Sequence, residues 1–467
     1  MIGSGKPVAH SMGRRFKSWS GRRSARGCAL LLACAGLALT LGVGALFAGS
    51  APSFAAPRDY ATDYGSESVA IGDLNGDGKP DLATANRNGD TGNVLSVLLN
   101  RGDGIFRSPL YYQPGDSPYS IEIGDLNGDG KPDLVTANPV GNSVSVFLNR
   151  GDGSFQTKLD YAAGREPRSV AIGDLNGDGK LDIAVANASA NTVSVLLSRG
   201  DGRFETKLDY ATGRRPFSVA IGDFNGDGKP DLAIANGRAG TVSVLLNRGD
   251  GFHAKLDYRT GGAGSVAIGD LNGDGKPDLA TANDLASTVS VLLNSGDGTF
   301  KAKREYAAGG GPESVAIGDL NGDGEADLAT ANLGGTVSVL ANKGDGRFQA
   351  KLDYSTGHER WSVAIGDLNG DRRQDLATAN ADEDGTGSVS VLLNTPGLCT
   401  VQGVKGQTVP AAKRTIVRAN CRVGKIRRAY SKAVKRGRVI SQKPRFGAVL
   451  RGGGKVNLVV SRGRKHL

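Results

Sequence analysis

Asp73-Leu74-Asn75-Gly76-Asp77-Gly78-Lys79-Pro80-Asp81-Leu82 decides how the rest of this chain is read. Variants of the same stretch begin again at Asp125, Asp174, Asp223, Asp270, Asp319 and Asp367, at intervals of 52, 49, 49, 47, 49 and 48 residues (125−73, 174−125, and so on). A fixed period near fifty residues means one supersecondary unit copied in an array.

Within the first copy, Asp73, Asn75, Asp77 and Asp81 stand at loop positions 1, 3, 5 and 9, and Lys79 at position 7 can offer its carbonyl. Alternate residues of a tight loop can aim oxygens at one hard cation, and Ca²⁺ takes six to eight of them. Gly78 at position 6 permits the left-handed turn that wraps the chain. The later copies place the same oxygens at Asp125, Asn127, Asp129, Lys131 and Asp133, and at Asp174, Asn176, Asp178, Lys180 and Asp182. They recur at Asp223, Asn225, Asp227, Lys229 and Asp231, and at Asp270, Asn272, Asp274, Lys276 and Asp278. The last two sets are Asp319, Asn321, Asp323, Glu325 and Asp327, then Asp367, Asn369, Asp371, Arg373 and Asp375. Up to seven Ca²⁺ sites are therefore expected. The seventh should be the weakest, because Arg372 replaces the position-6 glycine. No helical pattern flanks the loop; Ser68-Val69-Ala70-Ile71-Gly72 precedes it and Leu82-Ala83-Thr84-Ala85 follows, both short β-type runs.

Each unit continues through V-S-V-L-L-N, a G-D-G-x-F turn and a D-Y-type element, giving four short strands. Four-stranded units in such arrays are propeller blades. The G-D-G-x-F turn occurs six times, once shortened to Gly249-Asp250-Gly251-Phe252, and the D-Y-type element seven, because Arg58-Asp59-Tyr60 precedes the first loop. The last blade stops at Leu393-Asn394 without its outer strand, so the segment around Asp59-Tyr60 is expected to supply it and remove two free sheet edges. The fold class is all-β: a seven-bladed β-propeller closed three strands plus one, with a small α+β tail.

These units resemble the FG-GAP/VCBS repeats of integrin α-subunit propellers and of many secreted bacterial proteins. The resemblance runs from Arg58 to Asn394. It implies Ca²⁺ bound in a blade hairpin, on the face away from the usual ligand surface. Adhesion proteins, lectins and a few enzymes share the family, so the fold alone does not name a function.

Residues 1–55 read as a secretory signal with cleavage near Ala55: Arg14, Arg15, Arg22, Arg23 and Arg26 precede an apolar run from Cys28 to Ala48, and Ser53-Phe54-Ala55 has small-x-small form. The run is long enough to span a membrane, so an uncleaved anchor is the lesser alternative. Residues 56–394 form the propeller and 395–467 the tail. The tail holds 19 Lys+Arg and no acid, and the leader 7, which leaves 57−19−7 = 31 bases against 47 acids in the propeller. The overall charge of +10 hides an acidic propeller and a basic tail, and that asymmetry points the tail at an anionic partner.

Val409 to Ala419 reads as a short helix, and Arg438-Val439-Ile440 and Lys455 to Val460 as strands. With Gly403 to Thr408, Gly437 to Pro444 and Gly454 to Ser461, the tail resembles a PASTA domain. That resemblance implies a place outside the cell and, for some members, peptidoglycan binding. Peptidoglycan or an anionic wall polymer is thus the expected partner of the tail. Cys399 and Cys421 flank the helix, and in an exported chain two cysteines in one small domain suggest a disulfide.

Arg-Gly-Asp occurs at Arg101, Arg150, Arg199 and Arg248, but two further copies replace the arginine with Ser295 and Lys343 and keep Gly-Asp-Gly. The tripeptide is read as a hairpin turn. Beyond the leader, His253, His358 and His466 are isolated, and no Ser-His-Asp or Cys-His arrangement is readable. No catalytic residue is assigned. The repeats vary mainly between strands two and three and in the link before each first strand, whose last variable position reads Glu67, Tyr119, Arg168, Phe217, Gly264, Glu313, Trp361. Both loop types should emerge on one face. Tyr119, Arg168, Phe217 and Trp361 suit a glycan or a protein ligand on that rim. The expected function is an exported, non-enzymatic binding or adhesion module at the cell wall, monomeric and without nucleic acid. A secreted carbohydrate-active lyase or dehydratase is the alternative, and a purely structural surface protein the third reading.

Overall fold

The computed structural model describes residues 51–87, 94–356, 359–381, 385–395, 399–419, 421–450 and 454–464. The expected signal run, parts of two variable loops, His358 and His466 lie outside the described residues.

In the first blade, β2 (Ser66–Gly72), β3 (Asp81–Asn86), β4 (Val94–Leu98) and β5 (Leu110–Tyr112) pair in that order as an antiparallel sheet; β1 (Arg58–Ala61) lies before them in the chain. Five further blades repeat the order. The residues between Gly72 and Asp81, which form a Cα pair, make the turn that carries the repeated acidic loop. Each blade's two central strands are buried almost throughout because neighbouring blades cover both faces: Leu95 and Val97 of the first blade pack with Ile121, Leu134 and Phe147 of the second. That burial explains why these strands read as continuous apolar or small-residue runs. The expected all-β propeller is the observed fold.

The seventh blade is assembled from both ends of the propeller. Strands Glu359–Gly366, Asp375–Ala381 and Gly387–Leu392 are completed by β1, with Arg58 opposite Val391 and Ala61 opposite Ser388. Val69, Leu82 and Phe106 of the first blade pack with Leu368, Val389 and Val391 of the seventh, so the apolar core is continuous across the seam.

The chain just before β1, on the leader side of the expected boundary at residue 56, also bonds to the end of the seventh blade. Phe54 forms an isolated bridge with Asn394, as Phe106 does with Asn100 and Phe155 with Asn149. The Ala55 N–H donates to Leu393 O at 2.8 Å, and the Thr395 N–H to Ser53 O at 2.7 Å. Residues 52–55 thus do for the seventh blade what G-D-G-x-F turns do for the other six. Sequence reading missed this because Pro52-Ser53-Phe54-Ala55 lacks the Gly-Asp-Gly and reads as part of the cleavage site.

The tail has its own sheet, Cys421–Ala429 beside Gly454–Ser461 beside Val439–Lys443, with the first pair parallel and the second antiparallel. Its helix α1 (Val409–Arg418) buries Ala412 and Ile416 against Val401, Val404, Val439, Val456 and Leu458. The helix and two strands lie where the sequence placed them. The strand Cys421–Ala429 was not foreseen. It is an edge strand, and Arg422, Lys425, Arg427 and Arg428 interrupt its apolar pattern. Cys421, its first residue, is buried, whereas the Cys399 side chain lies outside the described residues.

Candidate functional site

The acidic loops are built by side chains catching their own backbone. Asp73 accepts the Asp77 N–H at 3.1 Å and the Gly78 N–H at 2.8 Å. Asn75 accepts the Asp77 N–H at 2.9 Å, and Asp77 the Lys79 N–H at 3.0 Å. Gly76 and Gly78 take φ of +73° and +80°, a region where a side chain would be strained. Position 9 proves to be structural as well. Buried Asp81 accepts the Leu74 N–H at 3.0 Å and the Asn100 N–H at 2.7 Å, so it ties the loop to the end of β4. Asn149 of the next blade donates to Leu74 O at 2.9 Å, and Asn100 donates to Leu368 O of the seventh loop at 2.8 Å. Six of the seven loops are therefore also joints between blades; for the second, Ser198 stands where the donating asparagine would be.

Can these loops hold a cation? Burial, with Asp77 and Asp73 nearby, pushes the Asp81 carboxyl up to about 6. The same causes raise Asp133, Asp231 and Asp278 to about 6, Asp375 to about 7 and Asp327 to about 8. Clustered carboxylates that resist ionisation are what a cation relieves, and the donors are all hard oxygens. Against this, Lys79 Nζ donates to Asp77 at 3.1 Å, and among the described residues no three His, Cys, Asp or Glu side chains are gathered tightly enough to hold a metal. The donor chemistry and the backbone wrap suit a hard cation; Asp73, Asn75, Asp77 and Asp81 would supply its oxygens only after drawing closer together. In the seventh loop Arg372 stands at φ +66°, its N–H on Asp367 at 2.6 Å, and Arg373 Nη1 lies 2.8 Å from Asp371.

The other end of the propeller carries a different site. The first strands of all seven blades line a central channel of about 560 Å³. At its mouth Glu67, Tyr119, Arg168, Phe217, Gly264, Glu313 and Trp361, one from each blade, line a single cavity of about 290 Å³. The seven variable positions picked out from the links are thus brought together around one axis. Arg168 lies 4.4 Å from the Tyr119 ring centre and 5.9 Å from that of Phe217, and Glu166 holds it with an Nη2–Oε1 contact of 2.6 Å. Arg215 reaches the same carboxylate at 3.1 Å. Glu67 pairs with Arg87 at 2.8 Å through Oε1, and burial raises its carboxyl against the opposing pull of Arg87 and Arg168. Burial raises Glu313 to about 7, with Asp284 and Glu67 adding to the push. Tyr119 is pushed up to about 12, chiefly by burial and then by Glu67.

Below the mouth, seven serines close a ring that sequence reading overlooked. Ser68 accepts the Ile121 N–H at 3.4 Å, Ser120 the Val170 N–H at 3.3 Å, and so on round to Ser362, which accepts the Val69 N–H at 3.5 Å. One step deeper the strands carry Ala70, Ala171, Ala220, Ala267, Ala316 and Ala364, but the second blade carries Glu122. The signal was available: Ser120-Ile121-Glu122-Ile123 departs from S-V-A-I in one copy only. Glu122 is open to the channel, yet enclosure by protein pushes its carboxyl up to about 7.

In the tail, Lys425, Arg427, Lys443 and Arg445 surround a groove of about 730 Å³ floored by Pro444, Leu458 and Val459.

A family model described as FG-GAP-like repeat matches in six overlapping spans from residue 73 to residue 378. The chain belongs to the FG-GAP-like repeat family. The PASTA domain model matches residues 400–462. Among solved structures, virginiamycin B lyase from Staphylococcus aureus is similar at 13% identity and a TM-score of 0.51, over 73% of this chain and 99% of that one. A putative 6-phosphogluconolactonase from Bacteroides uniformis matches at 19% identity and a TM-score of 0.49, over 62% and 85%. An Agrocybe aegerita lectin that recognises non-reducing terminal N-acetylglucosamine matches at 23% and 0.45, over 64% and 81%. At these identities the lyase likeness speaks for the propeller fold alone. FG-GAP-like propellers and PASTA domains are typically non-catalytic, while propellers of similar architecture include enzymes. PASTA domains occur in extracellular and cell-wall proteins, and among the described residues no helix is long and apolar enough to cross a membrane.

Proposed function

We propose that this FG-GAP-like propeller is an exported, Ca²⁺-stabilised binding module that takes its ligand at the axial mouth and is held near the cell wall by its basic PASTA tail. The observation that carries the reading is the convergence of Glu67, Tyr119, Arg168, Phe217, Glu313 and Trp361 on one cavity. These are the places where otherwise near-identical repeats differ, and they supply aromatic faces with a few placed polar groups, as small-molecule sites do. The ligand class is a glycan or a peptide end small enough for the mouth. In the tail, the groove of Lys425, Arg427, Lys443 and Arg445 suits an anionic wall polymer. A Cys399–Cys421 bridge would brace that small domain by about 3 kcal/mol in the loop-entropy account.

The deciding experiment is a glycan and muropeptide array probed with separate propeller and tail proteins, wild type and Trp361→Ala. Propeller binding that Trp361→Ala removes supports the reading. Release of product from a polysaccharide would favour the lyase or dehydratase alternative, and an array without any signal would leave a structural surface protein.

A further inference from the structure

Around the mouth, the blades run in chain order, so the three positions at the seam are neighbours: Glu313 of the sixth blade, Trp361 of the seventh and Glu67 of the first. An indole is thus flanked by two carboxylates. On the opposite arc Tyr119 and Phe217 flank Arg168, and that guanidinium already rests on the Tyr119 ring. The molecule has answered one aromatic arc with a cation of its own. On the seam arc Arg87 pairs with Glu67, but among the described residues no cation lies over the Trp361 ring.

Two observations point to a ligand there. Glu67 is 92% buried (8% exposed) and lines the mouth, yet among the described residues its Oε2 has no hydrogen-bond partner, while Oε1 is satisfied by Arg87. A buried carboxylate oxygen left unanswered costs free energy until a donor arrives. Second, Glu122 lies one step below the serine ring, where six blades have alanine, and it is open to the channel. Glu67 is paired with Arg87, and Glu166 is shared by Arg168 and Arg215; Asp284 and Glu313 at the mouth and Glu122 in the channel have no ion-pair partner among the described residues. Charge and ring faces therefore both favour a cation.

We propose that the axial mouth recognises its ligand through a primary ammonium group, seated against Trp361 between Glu67 and Glu313 and directed toward Glu122. This deepens the mouth-binding reading and rests on it. A turn of the enclosed Glu67 carboxylate toward the mouth lets the ammonium supply the donor that its Oε2 lacks, and the serine hydroxyls can orient the rest of the polar chain.

The test uses matched probes on the full chain: the β-1,4 glucosamine tetramer, its fully N-acetylated counterpart, and cadaverine as a bare alkyl diammonium, measured by calorimetry at neutral pH. The glucosamine tetramer is expected to bind at least about tenfold more tightly than the acetylated one, a difference set by one charge per sugar. Glu122→Ala restores the residue of the other six blades, so it should fold normally, and it should cut that preference by about fivefold or more. Glu67→Gln and Glu313→Gln should act likewise. The propeller is acidic overall, so adsorption to its general surface would survive Glu122→Ala; a preference unchanged in Glu122→Ala and in the Glu67→Gln, Glu313→Gln double variant overturns the proposal. Equal or tighter binding of the acetylated tetramer, lost in Trp361→Ala, would overturn the ammonium and leave the mouth reading standing. Failure of both tetramers and cadaverine to bind at about 10 mM overturns the ammonium proposal outright, and the array then decides the mouth reading separately.

Discussion

The ring of Phe54 meets the ring of Tyr354 edge to face, with centroids 5.0 Å apart. Six equivalent Tyr–Phe pairs stand between successive blades, from Tyr60 with Phe106 to Tyr306 with Phe348. Tyr60 OH donates to Gly104 O at 3.1 Å, and Tyr354 OH donates to Pro52 O in the same way. The seventh clasp is therefore made by residues 300 positions away in the chain (354−54).

Removing that clasp should open the seam first. Phe54→Ala is expected to lower stability by about 2 kcal/mol, since a partly buried aromatic pair is lost. Deletion of residues 52–55 should cost more and loosen β1, which covers the edge formed by Gly387–Leu392. Hydrogen exchange of Val389 and Val391 would report it; unchanged protection there would refute the clasp. For the same reason the exported chain is expected to begin at or before Pro52, which N-terminal sequencing of the mature protein would check.

Chelation of Ca²⁺ should lower the melting temperature, because carboxylates such as Asp73, Asp77 and Asp81 then crowd each other without a counter-charge. The loops are also joints between blades, through bonds such as Asn149 to Leu74 O, so the loss should be cooperative. The seventh loop should empty first. Arg372→Gly relieves a side chain held at φ +66° and is expected to add about 1–2 kcal/mol in Ca²⁺. Calcium titration of both proteins decides it; an unchanged weakest site and melting temperature would refute this account of the loop.

Glu122 makes stability depend on pH in a known direction. Its ordinary value is near 4.5 and enclosure raises it to about 7, so the folded state binds this proton more tightly than the unfolded chain does. The stability this gives is fully present below the lower value and is lost as pH rises through the upper one. Glu122→Ala removes that loss, so its melting temperature should gain on the wild type from about pH 5 to about pH 8. Melting curves of the pair across that range test it, and a constant difference would show that Glu122 does not titrate in the fold.

The tail should bind purified cell wall at low salt and release it at high salt, because exposed charges are screened within about 3 Å at 1 M. Substituting Lys425, Arg427, Lys443 and Arg445 together by Gln should weaken the pull-down without unfolding the domain, whose core lies on Val404, Ile416 and Val456. Binding that ignores salt, or survives the fourfold variant, would place the contact elsewhere.

Much of this molecule could be read from its residues. Periodicity gave the blade count, and the missing outer strand after Asn394 gave the closure through Arg58-Asp59-Tyr60. The loop chemistry was legible because Asp, Asn and Gly recur at fixed spacing. Position 9 was read as a ligand alone, since spacing cannot tell a carboxylate aimed at a cation from one that also caps the backbone of Leu74 and Asn100. The strand Cys421–Ala429 escaped because solvated arginines on an edge strand hide its two-residue period.

The sequence by itself determined the repeat, the turn chemistry, the acidic body and the basic tail, because each depends on residues close together in the chain. Tertiary structure alone decided which distant residues share a surface. Closing the ring set Trp361 between Glu313 and Glu67, turned Glu122 toward the channel, and carried Phe54 to Tyr354. Those neighbours are created by the rotation from blade to blade, and a one-dimensional pattern contains the period of that rotation but not the contacts made when it closes.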